Sequence, residues 1–175
     1  MSGLTHVYYG YGKGKTTAAL GLALRAAGHG KKVVLVQFLK DAKSGELSQL
    51  ALLPNVTVLR GKAAGHTFSI DMTESEREST TRIHDENLQK ALRLCENGEC
   101  DLLILDEAID AYQLGMIDRA LFENTVNGKP EPLELVVTGH TPEAWLTARA
   151  DYVTEMVKIK HPYDAGVLGR PGIEF

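Results

Sequence analysis

Residues 10–17 read Gly-Tyr-Gly-Lys-Gly-Lys-Thr-Thr, a spacing that can hold phosphate. Glycines 10, 12 and 14 leave the backbone free to turn N–H groups toward an anion. Lys15 adds a full positive charge, and the Thr16 hydroxyl is the expected Mg2+ ligand. The loop departs from G-x-x-x-x-G-K-[ST] at one place. Counting back from Gly14-Lys15-Thr16, the first glycine would be residue 9, which is Tyr9. A glycine-rich turn that binds nothing is the plain alternative.

A second signature weighs against that alternative. Asp101-Leu-Leu-Ile-Leu-Asp106-Glu107 is four apolar residues closed by two acids, similar to a Walker B strand. In phosphate-loop proteins the acid at such a strand end holds Mg2+, directly or through water. A hard cation that bridges phosphates takes carboxylate, hydroxyl and water ligands. Thr16, Asp106 and Glu107 can supply them. Either signature alone is weak; together they point to a Mg2+-nucleotide site. They do not name the reaction, because kinases, ATPases and transferases share them.

These groups need elements to position them. Leu4-Thr5-His6-Val7-Tyr8-Tyr9 is rich in strand formers and leads into the loop. Thr17–Ala27 is helical in propensity and ends at Gly28 and Gly30. Strand, glycine loop and helix are the context the motif requires, and the helix start near Lys15 adds its dipole. Further strands are expected at Val33–Phe38, Val56–Leu59, Leu102–Leu105, Leu133–Thr138 and Tyr152–Thr154. The continuous apolar run at 102–105 suits a strand buried on both faces. A short helix is expected over Glu46–Leu53. A long polar one is expected from about Glu74 to Asn97, opened by a Thr73/Glu76 capping box and closed by Gly98. Thr141-Pro142-Glu143 reads as the start of a helix over Pro142–Arg149, with threonine as cap and Trp145 as packing. The alternation predicts an α/β fold of three layers, α/β/α, with a mainly parallel sheet and right-handed crossovers. Ligands of such sheets bind beyond the carboxyl ends of the strands, where every motif here falls.

Bulk properties fit one domain over residues 1–175 with an ordinary core. Nineteen Lys and Arg against 23 Asp and Glu give a net charge of −4, with no global basic footprint for nucleic acid. No apolar run approaches the ~18 residues of a membrane span. The start lacks a charged-then-apolar leader, so the chain reads as cytoplasmic. Cys95 and Cys100 are too few for a metal finger and read as buried or semi-buried thiols at a helix end and a strand start.

The chain resembles the ATP:corrinoid adenosyltransferases. The loop is similar to that family's G-N-G-K-G-K-T-T, including the missing first glycine. Ala19–Gly30, Val36-Gln37-Phe38-Leu39-Lys40 with Gly45-Glu46, Leu-Asp-Glu at 105–107 and Val-Val-Thr-Gly at 136–139 also match. So do Ala-Asp-Tyr-Val-Thr-Glu-Met at 150–156, Lys160–Gly166 and Gly172–Phe175. The resemblance spans nearly the whole chain. It implies a RecA-like phosphate-loop core and transfer of the 5′-deoxyadenosyl group of ATP to Co(I) of a corrinoid, with triphosphate leaving. It implies Gly10, Tyr11, Gly12, Lys13, Gly14, Lys15, Thr16 and Thr17 around the nucleotide. Lys13, Lys15, Thr16 and Mg2+ (or Mn2+) would face the triphosphate, and Arg25 would contact the nucleotide. It further implies a homodimer and a flavoprotein reductant.

Three departures bear on the corrin side. Gly65-His66-Thr67-Phe68 aligns with the family's G-F-T-W segment over the corrin, so His66 and Phe68 replace a larger aromatic pair. Thr138-Gly139-His140 stands where the family has T-G-R, and Leu168-Gly169-Arg170-Pro171 where many relatives have K-A-Q-x. An N-terminal arm of some relatives has no counterpart. Lys158, Lys160 and His161 either reach the site or form a surface charge run. Two other functions stay open on the residues: a binding module that keeps ATP affinity without transfer, and a small-molecule kinase.

Overall fold

Leu102–Asp106 forms β4, and all five residues are buried. Alternation across the strand explains why the whole run is apolar. Leu103 and Leu105 pack into one core cluster, Leu102 and Ile104 into another. The computed structural model describes residues 2–40, 44–61 and 71–174. Around β4 it places β1 (Thr5–Tyr9), β2 (Val33–Gln37), β3 (Val56–Arg60), β5 (Glu134–Gly139) and β6 (Tyr152–Glu155). The six run parallel in the order β3-β2-β4-β5-β1-β6. Helices α1 (Lys15–Gly28) and α2 (Gly45–Leu50) cover one face through Ala19, Ala23 and Leu50. On the other face lie α3 (Glu74–Glu96), α4 (Ala108–Gln113), α5 (Arg119–Asn127) and α6 (Ala144–Arg149), through Leu88, Ile109, Phe122 and Leu146. This is the expected three-layer α/β/α architecture, with the sheet wholly parallel. The loop strand β1 and the acid strand β4 are separated by β5, the arrangement of a RecA-like core.

The long helix starts where the sequence predicts. Thr73 Oγ1 accepts from the Glu76 N–H, and the Glu76 carboxylate accepts from the Thr73 N–H at 2.8 Å. Thr73→Ala should lower stability by about 1 kcal/mol. For a chain of this length that shifts Tm by about 2–4 °C, readable by thermal melting. An unchanged Tm would show that the start of α3 is held by its packing alone.

Two expectations differ from the fold. Residues 108–127 carry two helices to which the sequence reading assigned no element. In α5, Asp118 caps the helix by accepting from the Leu121 N–H at 2.7 Å, and Gly128 follows its end. Thr141 is not a helix cap. Helix α6 begins at Ala144 after Glu143, with no side-chain cap bond. Instead the Thr141 carbonyl accepts from Gln113 Nε2, and its hydroxyl meets the Tyr11 hydroxyl at 3.3 Å. Trp145 is packing as expected, edge-on to Phe122 and Tyr112. Cys95 is half-buried and Cys100 buried, at the end of α3 and just before β4.

Candidate functional site

The carboxyl ends of β1, β2, β4, β5 and β6 lie on one rim of the sheet, because parallel register pairs Gln37 with Asp106, and Tyr9 with both Gly139 and Glu155. This register also accounts for the missing first glycine. Tyr9 is still extended strand, and the chain first turns at Gly10, with φ 109°. Gly14, at φ 121°, makes the second turn and hands the chain to α1. The loop is clasped from behind. The Gly10 N–H donates to the His140 carbonyl at 2.9 Å, and the Gly12 N–H to the Met156 carbonyl at 2.6 Å. Those two N–H groups are therefore structural. The N–H groups of the first turn of α1 have no intrahelical partner and are the ones free for an anion.

Lys15 folds over its own loop, donating to the Gly10 carbonyl at 2.7 Å and the Gly12 carbonyl at 3.2 Å. Burial lowers its pKa, against the opposing pull of Asp110, Glu107 and Asp106. Lys13 is engaged by the C-terminal segment. Its ammonium donates to Glu174 at 2.8 Å and to the Ile173 carbonyl at 3.2 Å. Tyr11 leans toward β5, its ring 5.1 Å from that of His140.

Asp106 is the buried centre of the site. Its Oδ1 accepts from the Thr16 hydroxyl at 2.9 Å and the Thr138 hydroxyl at 2.8 Å. Its Oδ2 accepts from Lys40 at 2.6 Å and Gln37 at 3.3 Å. Glu107 follows in the left-handed region, at φ 60°, a conformation that costs a non-glycine residue about 1–2 kcal/mol. Its N–H donates to Thr138 Oγ1 at 2.9 Å, and its carboxylate lies 3.1 Å from the Lys40 ammonium. Burial raises the Glu107 pKa, and Lys40 works against the rise. For Lys40, burial opposes the charge, but Asp106 and Glu107 outweigh it and hold its pKa above the ordinary lysine value.

Two carboxylates and a hydroxyl converging on one cation are an all-oxygen donor set suited to Mg2+. The Lys40 ammonium already shows that the set accepts a cation. Among the described residues no group of three or more His, Cys, Asp and Glu is placed to hold a metal by itself. Phosphate oxygens and water must complete any Mg2+ shell here.

The fold thus brings together Gly10, Gly12, Gly14, Lys15, Thr16, Asp106 and Glu107. Arg25 stands apart, exposed in the last turn of α1. At about 1.5 Å rise per residue it lies ~15 Å along the helix from Lys15. His66 and Phe68 lie outside the described residues. Lys158 pairs with Asp164 at 3.0 Å, as a surface ion pair. His140, where the family pattern has arginine, is bound through Nδ1 to Asp110 at 2.8 Å. Sequence reasoning gave no role to Lys40, Gln37 or Thr138. Gln37 and Thr138 lie at the ends of β2 and β5, which flank β4, and Lys40 follows β2 by three residues; their segments match the family pattern, but their convergence on Asp106 shows only once strand order is known.

A parallel sheet with a phosphate loop after β1, and a buried acid one strand away at the end of β4, defines a RecA-like phosphate-loop nucleotide-binding protein. Residues 1–175 match the family described as ATP:corrinoid adenosyltransferase BtuR/CobO/CobP, and the chain belongs to it. It is a transferase, with ATP and a corrinoid as substrates. The chain is 36% identical to the corrinoid adenosyltransferase of Escherichia coli K12, over 99% of its own length and 86% of the relative's. It is 32% identical to the corrinoid adenosyltransferase of Pseudomonas aeruginosa, covering 99% and 84%. The corrinoid adenosyltransferase CobA of Salmonella typhimurium is also 32% identical, covering 99% and 86%.

Proposed function

We propose that the rim built from Lys15, Thr16, Asp106 and Glu107 carries the adenosyl transfer. The Co(I) electron pair of the corrinoid becomes the new bond to C5′ of ATP, the C5′–O bond breaks, and triphosphate leaves with the C5′–O bonding pair. Cobalt ends as Co(III), and no proton moves. The nucleophile is supplied by the corrinoid, so the protein's part is to position ATP and to stabilise charge on the leaving group. Lys15 turns from its two loop carbonyls to the phosphates, and the first-turn N–H groups of α1 face them. Lys13 would add a second charge on leaving Glu174 and the Ile173 carbonyl. Mg2+ held by Thr16 and Glu107, with Asp106 behind them, would add positive charge beside the departing triphosphate. The convergence of Thr16, Asp106 and Glu107 on one cation supports this reading most strongly.

The resemblance supports Arg25 as a nucleotide contact and a flavoprotein as the source of electrons for Co(I). A homodimer in the cytoplasm fits two further observations. The edge strand β6 leaves Tyr152 and Val153 about half exposed, at 50% and 45%. Among the described residues no helix is long and apolar enough to cross a membrane.

Attack at C5′ leaves the phosphate chain whole. Phosphorus NMR of the protein with ATP, Mg2+ and chemically reduced corrinoid should show one intact triphosphate for each corrinoid consumed. ADP and phosphate as the only corrinoid-dependent products would remove adenosyl transfer and leave a kinase or an ATPase.

A further inference from the structure

The three side chains that converge as a metal set share a partner with no place in the transfer scheme. Lys40 Nζ donates to Asp106 Oδ2 at 2.6 Å and to Thr16 Oγ1 at 3.2 Å, and lies 3.1 Å from Glu107 Oε1. An ammonium has three donors, and each of these has found one acceptor. The position is built rather than incidental. Leu39, just before Lys40, is held in the left-handed region at φ 57°. Its N–H donates to Nε2 of the buried His84 at 3.1 Å, and His84 Nδ1 pairs with the Met116 carbonyl at 2.7 Å. That N–H fixes the imidazole as the neutral tautomer protonated on Nδ1, so α3 holds the backbone that aims Lys40 at the rim.

We propose that Lys40 is the resident cation of the nucleotide-free site, a positioning residue that keeps Thr16, Asp106 and Glu107 assembled until Mg-ATP replaces its ammonium. Without a cation the buried Asp106 carboxylate and the half-buried Glu107 carboxylate would repel each other. A divalent ion and an ammonium cannot both occupy the same oxygens. Metal arriving with ATP therefore displaces Lys40, whose freed charge then meets a phosphate oxygen. The metal site is thereby closed to Mg2+ alone and opens only to Mg2+ that comes with nucleotide. The inference rests on the phosphate-loop reading of the rim, yet it can be tested without transfer chemistry.

The test measures binding of MnCl2, followed by its electron paramagnetic resonance signal and by thermal melting, without corrinoid, first with no ATP and then for wild type with ATP. Wild-type protein should bind Mn2+ weakly and gain little Tm from it. Lys40→Met and Lys40→Gln should melt lower in EDTA. They should bind Mn2+ at least about tenfold more tightly than wild type, because a competing like charge is gone. Mn2+ should restore their Tm. Lys40→Arg, which keeps the charge, should behave as wild type. Equal Mn2+ affinity in wild type and the neutral variants overturns the proposal. So does wild-type protein that binds Mn2+ as tightly without ATP as with it, a readout that needs no variant. If the Mn2+ results hold while phosphorus NMR shows no triphosphate, the transfer reading falls and the role of Lys40 stands.

Discussion

Lys15→Ala should lose about 2–4 kcal/mol of transition-state stabilisation, some 30- to 1,000-fold in kcat/KM. Lys15 holds two loop carbonyls, at 2.7 and 3.2 Å, and in the proposed reaction would exchange them for phosphate oxygens. The contact it makes in the reaction carries more charge than the one it leaves, so the loss falls on the reaction and not on the fold. The same logic sets the sign of the stability effect. Burial lowers the Lys15 pKa below its unfolded value, so the folded site binds that proton less well than the unfolded chain does. Below the folded pKa the charge destabilises the fold, and the penalty fades as pH rises from the folded pKa to the unfolded one. At neutral pH the variant should therefore melt no lower than wild type while its turnover collapses. Wild-type ATP affinity by calorimetry together with wild-type turnover would remove Lys15 from the site.

Gly10→Ala should damage the same loop by a different route, with a large effect on stability. A Cβ at residue 10 would lie 2.5 Å from the Met156 carbonyl oxygen, a backbone atom of β6's continuation that cannot swing aside. The residue also sits at φ 109°, outside what an L side chain readily adopts. Overpacking of about 1–3 kcal/mol and backbone strain of about 1–3 kcal/mol add on one residue. Gly21→Ala is the control. Gly21 lies inside α1 with nothing within 4 Å of a built Cβ. That change should be neutral or stabilising by about 0.5–1 kcal/mol. Thermal melting of the two variants side by side measures the difference. A Gly10→Ala protein as stable as wild type would mean the loop is not clasped by β6.

What could be read in advance follows from how far apart the partners lie in the chain. The phosphate loop and the Asp106-Glu107 strand end are each a few consecutive residues, so residue type and order show them. The capping box spans four residues, Thr73 to Glu76, and is legible for the same reason. Lys40 was not, because its partner Asp106 lies 66 residues on and meets it only through the neighbouring places of β2 and β4 in the sheet. Thr138 is 32 residues from Asp106 and depends on β4 lying beside β5. The Thr141 cap failed because tertiary partners, Gln113 and Tyr11, engage that residue before a helix can. Helix α4 gave no local signal. It has six residues and starts from the left-handed Glu107 with no side-chain cap bond.

The clasp on the loop also orders events in time. Strand β1 lies between β5 and β6, and the shape of residues 10–12 depends on the carbonyls of His140 and Met156. On a translating ribosome the loop emerges first and its two walls emerge last. At about 5–20 residues per second the interval is on the order of 10 s. Throughout that interval the nascent chain has the sequence of a nucleotide loop without its form. The clasp that shapes residues 10–12 is complete only once the chain has been made through Met156.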